Sequence, residues 1–281
     1  MKVVPMTNAH LVAGGFPRGS SAGHDIDSVR LKILNILATD PSISTSVSPD
    51  FEEIESWLSF SSVLITYVAG PFPNSQQSEA IDQWLEKGGR WIALHGTSGG
   101  KAVPLEDGQP GRIMTRGPHH SLLGAYFLNH PPIRRFQVDV REVDHPITRG
   151  LPASFEVSDE LYLIEMTRPE ESTVLLSTSD LPIEDTSPRE FGFTYRSDSS
   201  IGADGKTRVL GYELKRGDGG VVYLALGHCH SDQTNIQPYV HASVSPDGVT
   251  PRQFAGPWEN PVFNQLLANA VTWAFAKSPR P

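Results

Sequence analysis

The chain has 281 residues, 38% of them hydrophobic, which is ample to bury a sizeable core. Its 23 Lys and Arg against 32 Asp and Glu give a formal charge of -9 with no dense basic run, so nucleic acid is excluded as an expected partner. The lone cysteine, Cys229, excludes an intrachain disulfide and a cysteine-rich metal knuckle.

Residues 1–10 lack the apolar stretch and small-residue cleavage site of a signal peptide. No apolar run approaches the ~20 residues a bilayer span needs, so a cytoplasmic protein without membrane contact is expected. His10–Gly15 reads as a short strand ending in glycines. From Asp25 to Leu37, Ile26, Val29, Leu31, Ile33, Leu34 and Leu37 recur at roughly helical spacing behind Asp25, a fair N-cap. Ser42–Val47 is a weaker strand, whereas Ser62–Gly70 is unbroken enough to be buried on both faces. Ser75–Lys87 forms a helix with Ala80, Ile81, Trp84 and Leu85 on its apolar face, and Gly88-Gly89 stops it. Arg90–His95 follows as another buried strand.

Strand, helix and strand joined by short glycine-bearing connections make a βαβ unit, and therefore a parallel sheet. Ligands of such sheets collect beyond the carboxyl ends of the strands. That rule places Gly15, Gly70 and His95 along one rim. Gly96–Pro132 is long, weakly periodic and rich in Gly, Pro and His, the character of a functional connection. Arg134–Glu142 alternates as a strand, and further strands are expected at Leu161–Glu165, Thr173–Ser177, Phe191–Tyr195, Arg208–Leu214 and Gly220–Leu226, with a turn or hairpin connection over Asp198–Gly205. Asn260–Ala276 closes the chain as a helix, with Pro261 in its first turn. No repeat or linker interrupts this order, so residues 1–281 read as one domain with a β-rich insertion.

Histidine carries most of the chemical signal. His95 ends one buried strand, and His228 and His230 flank Cys229 after another. Imidazole titrates nearest neutral pH and is the commonest transition-metal ligand, so two such strand ends on one rim suggest a metal or acid–base site. His95 and His228 are thus the candidate metal ligands, although no His-Glu-x-x-His motif is present. His119, His120 and His130 lie in the long connection, where solvation is the plainer reading.

Neighbours in an extended segment point to opposite faces, so Cys229 is poorly placed to pair with His228 and reads as a small buried residue. Thr97 and Ser98 follow the strand without forming a Gly-x-Ser-x-Gly elbow. For the same reason Asp159 and Glu160 should diverge, sending at most one carboxylate into a shared pocket. Asp144-His145-Pro146 suits a turn, and Asp25 already has a use as a cap.

The ordered motifs resemble those of the trehalose-utilisation (ThuA-like) family. The matching pieces begin with Gly23-His24-Asp25, Gly89 to Gly96 (GRWIALHG), Gly124-Ala125-Tyr126-Phe127 and His130-Pro131. They continue through Asp144 to Pro152 (DHPITRGLP), Asp159-Glu160-Leu161-Tyr162, Val221 to His228 (VVYLALGH) and the closing Trp273-Ala274. Gly124-Ala125 departs from the usual Gly-Gly, and the loop Gly99–Gly117 departs in length and content.

The resemblance implies a class I glutamine-amidotransferase-like α/β fold, with a flavodoxin-like, mostly parallel sheet and helices on both faces. In that superfamily a nucleophilic cysteine occupies the turn where this chain has His95, so glutamine hydrolysis through a thioester lacks its nucleophile. What it implies instead is an enzyme of carbohydrate metabolism acting on trehalose, related glycosides or their keto derivatives. Its catalytic candidates are His95, His228 and Glu160, and its substrate-binding candidates are His24, Asp25, His130, His145 and Tyr162. A divalent metal such as zinc would act as a Lewis acid on His95 and His228. The expected partner is a small-molecule carbohydrate, and homo-oligomerisation is left open. Two alternatives stand beside this: a non-catalytic carbohydrate-binding or regulatory protein with stacking aromatics (Tyr126, Phe127, Tyr239, Phe254, Trp258), and hydrolase chemistry through Cys229.

Overall fold

The computed structural model describes residues 7–15, 20, 22–106, 108, 110–179 and 192–276. The unbroken apolar runs become adjacent buried strands. β1 (Thr7–Gly15), β2 (Ile43–Ser48), β3 (Val63–Ala69) and β4 (Arg90–Leu94) alternate with α1 (Ile26–Leu37), α2 (Ile54–Leu58) and α3 (Ser75–Glu86). A hairpin of β5 (Lys101–Pro104) and β6 (Arg112–Thr115), α4 (His119–Leu123) and β7 (Ala125–Asn129) follow. Then come β8 (Arg134–Val140), β9 (Ser154–Asp159), β10 (Leu163–Met166), β11 (Ser172–Thr178), β12 (Arg208–Arg216), β13 (Gly219–Leu224) and α5 (Pro261–Phe275).

The main sheet has nine strands in the order β2-β1-β3-β4-β13-β12-β11-β8-β9. From β2 to β13 neighbours run parallel, and from β13 outward they run antiparallel. Burial follows this division. β13 is buried at every position, as a central parallel strand must be, whereas β8 alternates, with Phe136, Val138 and Val140 inward. Helices cover both faces. Val29, Ile33 and Leu37 of α1, with Leu266, Ala270 and Trp273 of α5, pack on one side against Leu11, Ile65 and Leu224. Ile54, Leu58, Ile81 and Leu85 cover the other side against Leu64, Trp91 and Tyr223.

Local chemistry fixes where the helices begin. The Asp25 carboxylate accepts the Ser28 N–H at 3.1 Å to cap α1. Asn74 and Gln77 form a reciprocal capping box at α3. Asn260 caps α5 ahead of Pro261.

Several expectations need correction. The connection Gly96–Pro132 contains β5, β6, α4 and β7, each too short for a periodic signal. The strand expected at Leu161–Glu165 starts at Leu163 and pairs with β7 in a separate two-stranded sheet, while β9 precedes it in the main sheet. Residues 192–195 have no strand pairing, and Phe191 lies outside the described residues. The turn expected over Asp198–Gly205 is present, with an Ile201–Arg208 bridge beside it. Among the described residues, no helix is long and apolar enough to cross a membrane.

Removing the α1 cap should destabilise the fold without touching the histidines beyond the strand ends. Asp25→Ala is expected to lower the unfolding free energy by about 1 kcal/mol in a denaturant titration.

Candidate functional site

The chain turns sharply where β4 ends. His95 adopts φ +43°, a left-handed conformation uncommon for a residue with a side chain. The surroundings hold it there. The Tyr223 hydroxyl donates to the His95 carbonyl at 2.9 Å, and Ser98 Oγ lies 2.7 Å from the same hydroxyl. The next residue must be glycine, because a Cβ at Gly96 would stand 2.5 Å from the Val68 carbonyl oxygen. The exit from β13 is anchored likewise: the Gly227 carbonyl accepts from Tyr67 Oη at 2.9 Å and Trp258 Nε1 at 2.8 Å.

Asp159 joins this exit to the end of β9. Its carboxylate accepts N–H groups from Gly227 at 2.7 Å, His228 at 2.9 Å and Glu160 at 2.8 Å. Burial raises its pKa to about 7, against the pull of His95 and these donors. The clamp delivers the next side chain, Glu160, among the rings. Glu160 Oε2 lies 3.3 Å from His95 Nε2, and Oε1 lies 3.1 Å from His228 Nδ1 and 3.6 Å from His130 Nε2. Burial opposes its ionisation, yet His130 and His228 hold its carboxyl well below the usual range.

Hydrogen bonds on the far sides of the rings determine which nitrogens carry protons. His24 Nδ1 lies 2.9 Å from the Ala22 carbonyl and His95 Nδ1 lies 2.7 Å from the Ala225 carbonyl. A carbonyl only accepts, so both Nδ1 atoms donate, and in the neutral rings each Nε2 is a lone pair. His230 Nε2 donates to the Pro251 carbonyl at 2.9 Å, which leaves His230 Nδ1 to accept from His228 Nε2 at 3.0 Å. His228 Nδ1 is therefore a lone pair as well.

These three nitrogens are buried and find no hydrogen-bond donor among the described residues. Together with a Glu160 oxygen they lie within 4.8 Å of one another. Three lone pairs and a carboxylate repel one another unless a cation or proton stands among them. The donors suit a divalent metal of the zinc class, which takes imidazole and carboxylate at about 2.0–2.2 Å. Protonation within the cluster is uneven. Burial, aided by His228 and His95, lowers His24 to about 3. Burial also lowers His228, whereas for His95 it is outweighed by Glu160 and Asp159, which raise its pKa.

The family model for trehalose utilisation (ThuA) matches residues 21–242, a span that includes His24, His95, Glu160 and His228. The chain belongs to the ThuA family.

Its fold is similar to a ThuA-like protein from Bacteroides uniformis, at 19% identity and TM-score 0.62, over 99% of this chain and 95% of that one. A ThuA-like protein from Parabacteroides merdae matches at 15% identity and TM-score 0.58, over 98% and 92%. A cold-adapted β-galactosidase from Rahnella shares the fold at 14% identity and TM-score 0.51, over 79% of this chain but 29% of the enzyme. No curated protein matches the chain.

Of the residues singled out in the sequence of this ThuA-family chain, His24, His95, Glu160 and His228 converge. His130 and Tyr162 border them, and the Tyr162 ring stacks on His95 at 4.0 Å between centroids. His145 does not join the cluster. Its Nε2 donates at 2.8 Å to Glu213, which also accepts from Trp273 Nε1 at 3.1 Å, so it ties the 144–146 turn to β12 and α5. The Asp25 carboxylate is likewise occupied, by the α1 cap. The divergence expected of Asp159 and Glu160 holds for their side chains, but both serve the site, one through backbone and one directly.

Cys229 is buried, and burial pushes its thiol up to about 12, so thiolate chemistry is disfavoured. His119 and His120 are buried rather than solvated. His119 Nε2 donates to the Gly99 carbonyl at 3.0 Å and His120 Nε2 to the Ser98 carbonyl at 3.1 Å, bracing the turn after His95. Sequence reading missed Gln237, whose side-chain amide donates to Glu160 Oε1. It lies in an aperiodic loop, and an isolated glutamine gives no signal.

Burial, reinforced by His120, depresses His119 to about 3. Unfolding frees this ring to titrate near 6.5, so the unfolded state binds the extra proton between those values. Stability from His119 is full above about pH 6.5 and is lost as pH falls towards 3, at up to about 1.4 kcal/mol per pH unit. Denaturant unfolding at pH 7.5 and pH 5 should show this loss, and His119→Gln should have a shallower pH dependence than wild type.

Proposed function

We propose that this ThuA-family protein is a sugar-directed enzyme with a metal-assisted acid–base site at the carboxyl edge of its sheet. One observation carries the reading: three histidines with outward-fixed protons aim lone pairs at one buried point shared with Glu160. His24, His95, His228 and Glu160 would hold the metal. Bound there, a divalent ion would polarise a carbonyl or hydroxyl oxygen of the sugar as a Lewis acid.

The protein's own groups supply the rest. Glu160 is held too acidic to be a strong base, so it serves as an anionic ligand and as the anchor for its neighbours. His130 Nδ1 donates to the Pro131 carbonyl at 2.8 Å, which turns Nε2 towards Glu160 and makes His130 the imidazole placed to take a proton. Tyr162 covers His95 and helps exclude water. With a keto-sugar the carbonyl acidifies the adjacent C–H, so elimination or isomerisation proceeds without a nucleophile. That chemistry suits a turn bearing His95 and a cysteine whose thiolate is disfavoured.

The second reading, a carbohydrate-binding or regulatory protein, is favoured by the depth of the cluster, since His95 and His228 are fully buried. Turnover distinguishes the two.

Elemental analysis of protein purified without chelator should give close to one zinc-class ion per chain. His95→Ala and His228→Ala should each lower metal affinity at least tenfold and abolish turnover in a panel of glycosides and their keto forms. Metal-free protein, together with unchanged turnover in both variants, would sink the proposal. Cys229→Ser should retain full activity, and its inactivation would revive the thiol chemistry disfavoured above.

A further inference from the structure

After β13 the chain runs from residue 231 to residue 255 without helix or strand, apart from the bridge at Phe254. Gln237, within this loop, is only 6% exposed. Its backbone is fixed at both ends. The N–H donates to Asn235 Oδ1 at 2.8 Å, and the carbonyl accepts from Thr250 Oγ1 at 3.0 Å. The side-chain Nε2 donates to Glu160 Oε1, which establishes the amide's orientation, because the reverse would set oxygen against carboxylate.

Among the described residues, Gln237 Oε1 is buried and has no hydrogen-bond partner. The two polar atoms of one amide are about 2.3 Å apart, so Oε1 stands within ~5 Å of the Glu160 carboxylate. A buried acceptor without a donor is costly, and proteins rarely leave one. The donor has to come from outside the cluster, since the inward-facing histidine nitrogens and the carboxylate are acceptors themselves.

We propose that Gln237 is a substrate-binding residue that selects neutral, hydroxyl-bearing ligands. This inference rests on the metal-site reading above. A sugar hydroxyl meets both demands at once, turning its oxygen towards the metal and donating its proton to Gln237 Oε1. A carboxylate or phosphate brings only acceptors and would meet an acceptor there, so anionic ligands are disfavoured. The neighbouring Ile236, 64% exposed, and Tyr239, 36% exposed, give the outer side of the loop an apolar character suited to the face of a sugar ring.

Gln237→Leu removes the acceptor and, with it, the donor to Glu160 at similar size, whereas Gln237→Glu keeps an acceptor and loses only that donor. Zinc content of both variants, measured beside wild type, should be unchanged for Leu, because Gln237 is not a ligand. On the panel of neutral glycosides and keto-glycosides, KM for Gln237→Leu should rise at least tenfold. A high-resolution crystal structure of the zinc-loaded wild-type protein, with glycerol as polyol probe, should place a glycerol hydroxyl oxygen about 3 Å from Gln237 Oε1. Unchanged KM in Gln237→Leu, or an Oε1 bonded only to protein in the zinc-loaded crystal, overturns the assignment. Wild-type protein that binds no metal overturns the underlying reading instead, and the zinc measurement separates the two failures.

Discussion

The site depends on the Asp159 carboxylate and the three backbone N–H groups it accepts. These belong to Gly227 and His228 beyond β13 and to Glu160 beyond β9. In strand order β9 and β13 are separated by β12, β11 and β8, yet this one side chain binds the two exits together. Without it, a buried Glu160 would have no fixed place opposite His228. An ionised carboxylate with that number of donors tolerates burial, and the same bonds fix the backbone from which Glu160 and His228 project.

A chain of tautomers then gives the cluster its polarity. Carbonyls of Ala22, Ala225 and Pro251 each hold one imidazole proton on the outside, directly or through His230. The inward nitrogens are consequently all acceptors, which is the condition a metal ion requires and a protein interior otherwise avoids. His230 contributes to this without facing the cluster. His119 and His120 act one layer further out, through the carbonyls of Ser98 and Gly99. The concentration of histidine in the sequence thus reflects one centre and the bracing around it, while His10, between Ser46 and Ser48, and His145, on Glu213, have separate structural uses.

The left-handed turn at His95 presents an imidazole at the end of β4. Gly96 and Tyr223 hold that turn, and the Gly227 carbonyl with its two donors holds the exit from β13 beside it. A strained backbone is thereby held by packing on every side, and it can present a ligand as well as a nucleophile.

The sequence by itself determined the parallel half of the sheet, because β3, β4 and β13 are apolar along most of their length and α1 and α3 carry clear caps and periodicity. It also determined that His95 and His228 lie on one rim, since strand direction and the carboxyl-edge rule need only local signals. The short elements β5, β6, α4 and β7 were beyond it, being shorter than the window over which a period can be recognised. So were the roles of single polar residues. Nothing in the alternation of a strand reveals that Asp159 would accept the N–H groups of Gly227 and His228, that Glu160 would cross to the parallel half, or that His145 would instead find Glu213. Only the tertiary structure decided those, because a hydrogen bond or ion pair between residues 68 or more positions apart leaves no trace in the local pattern of either.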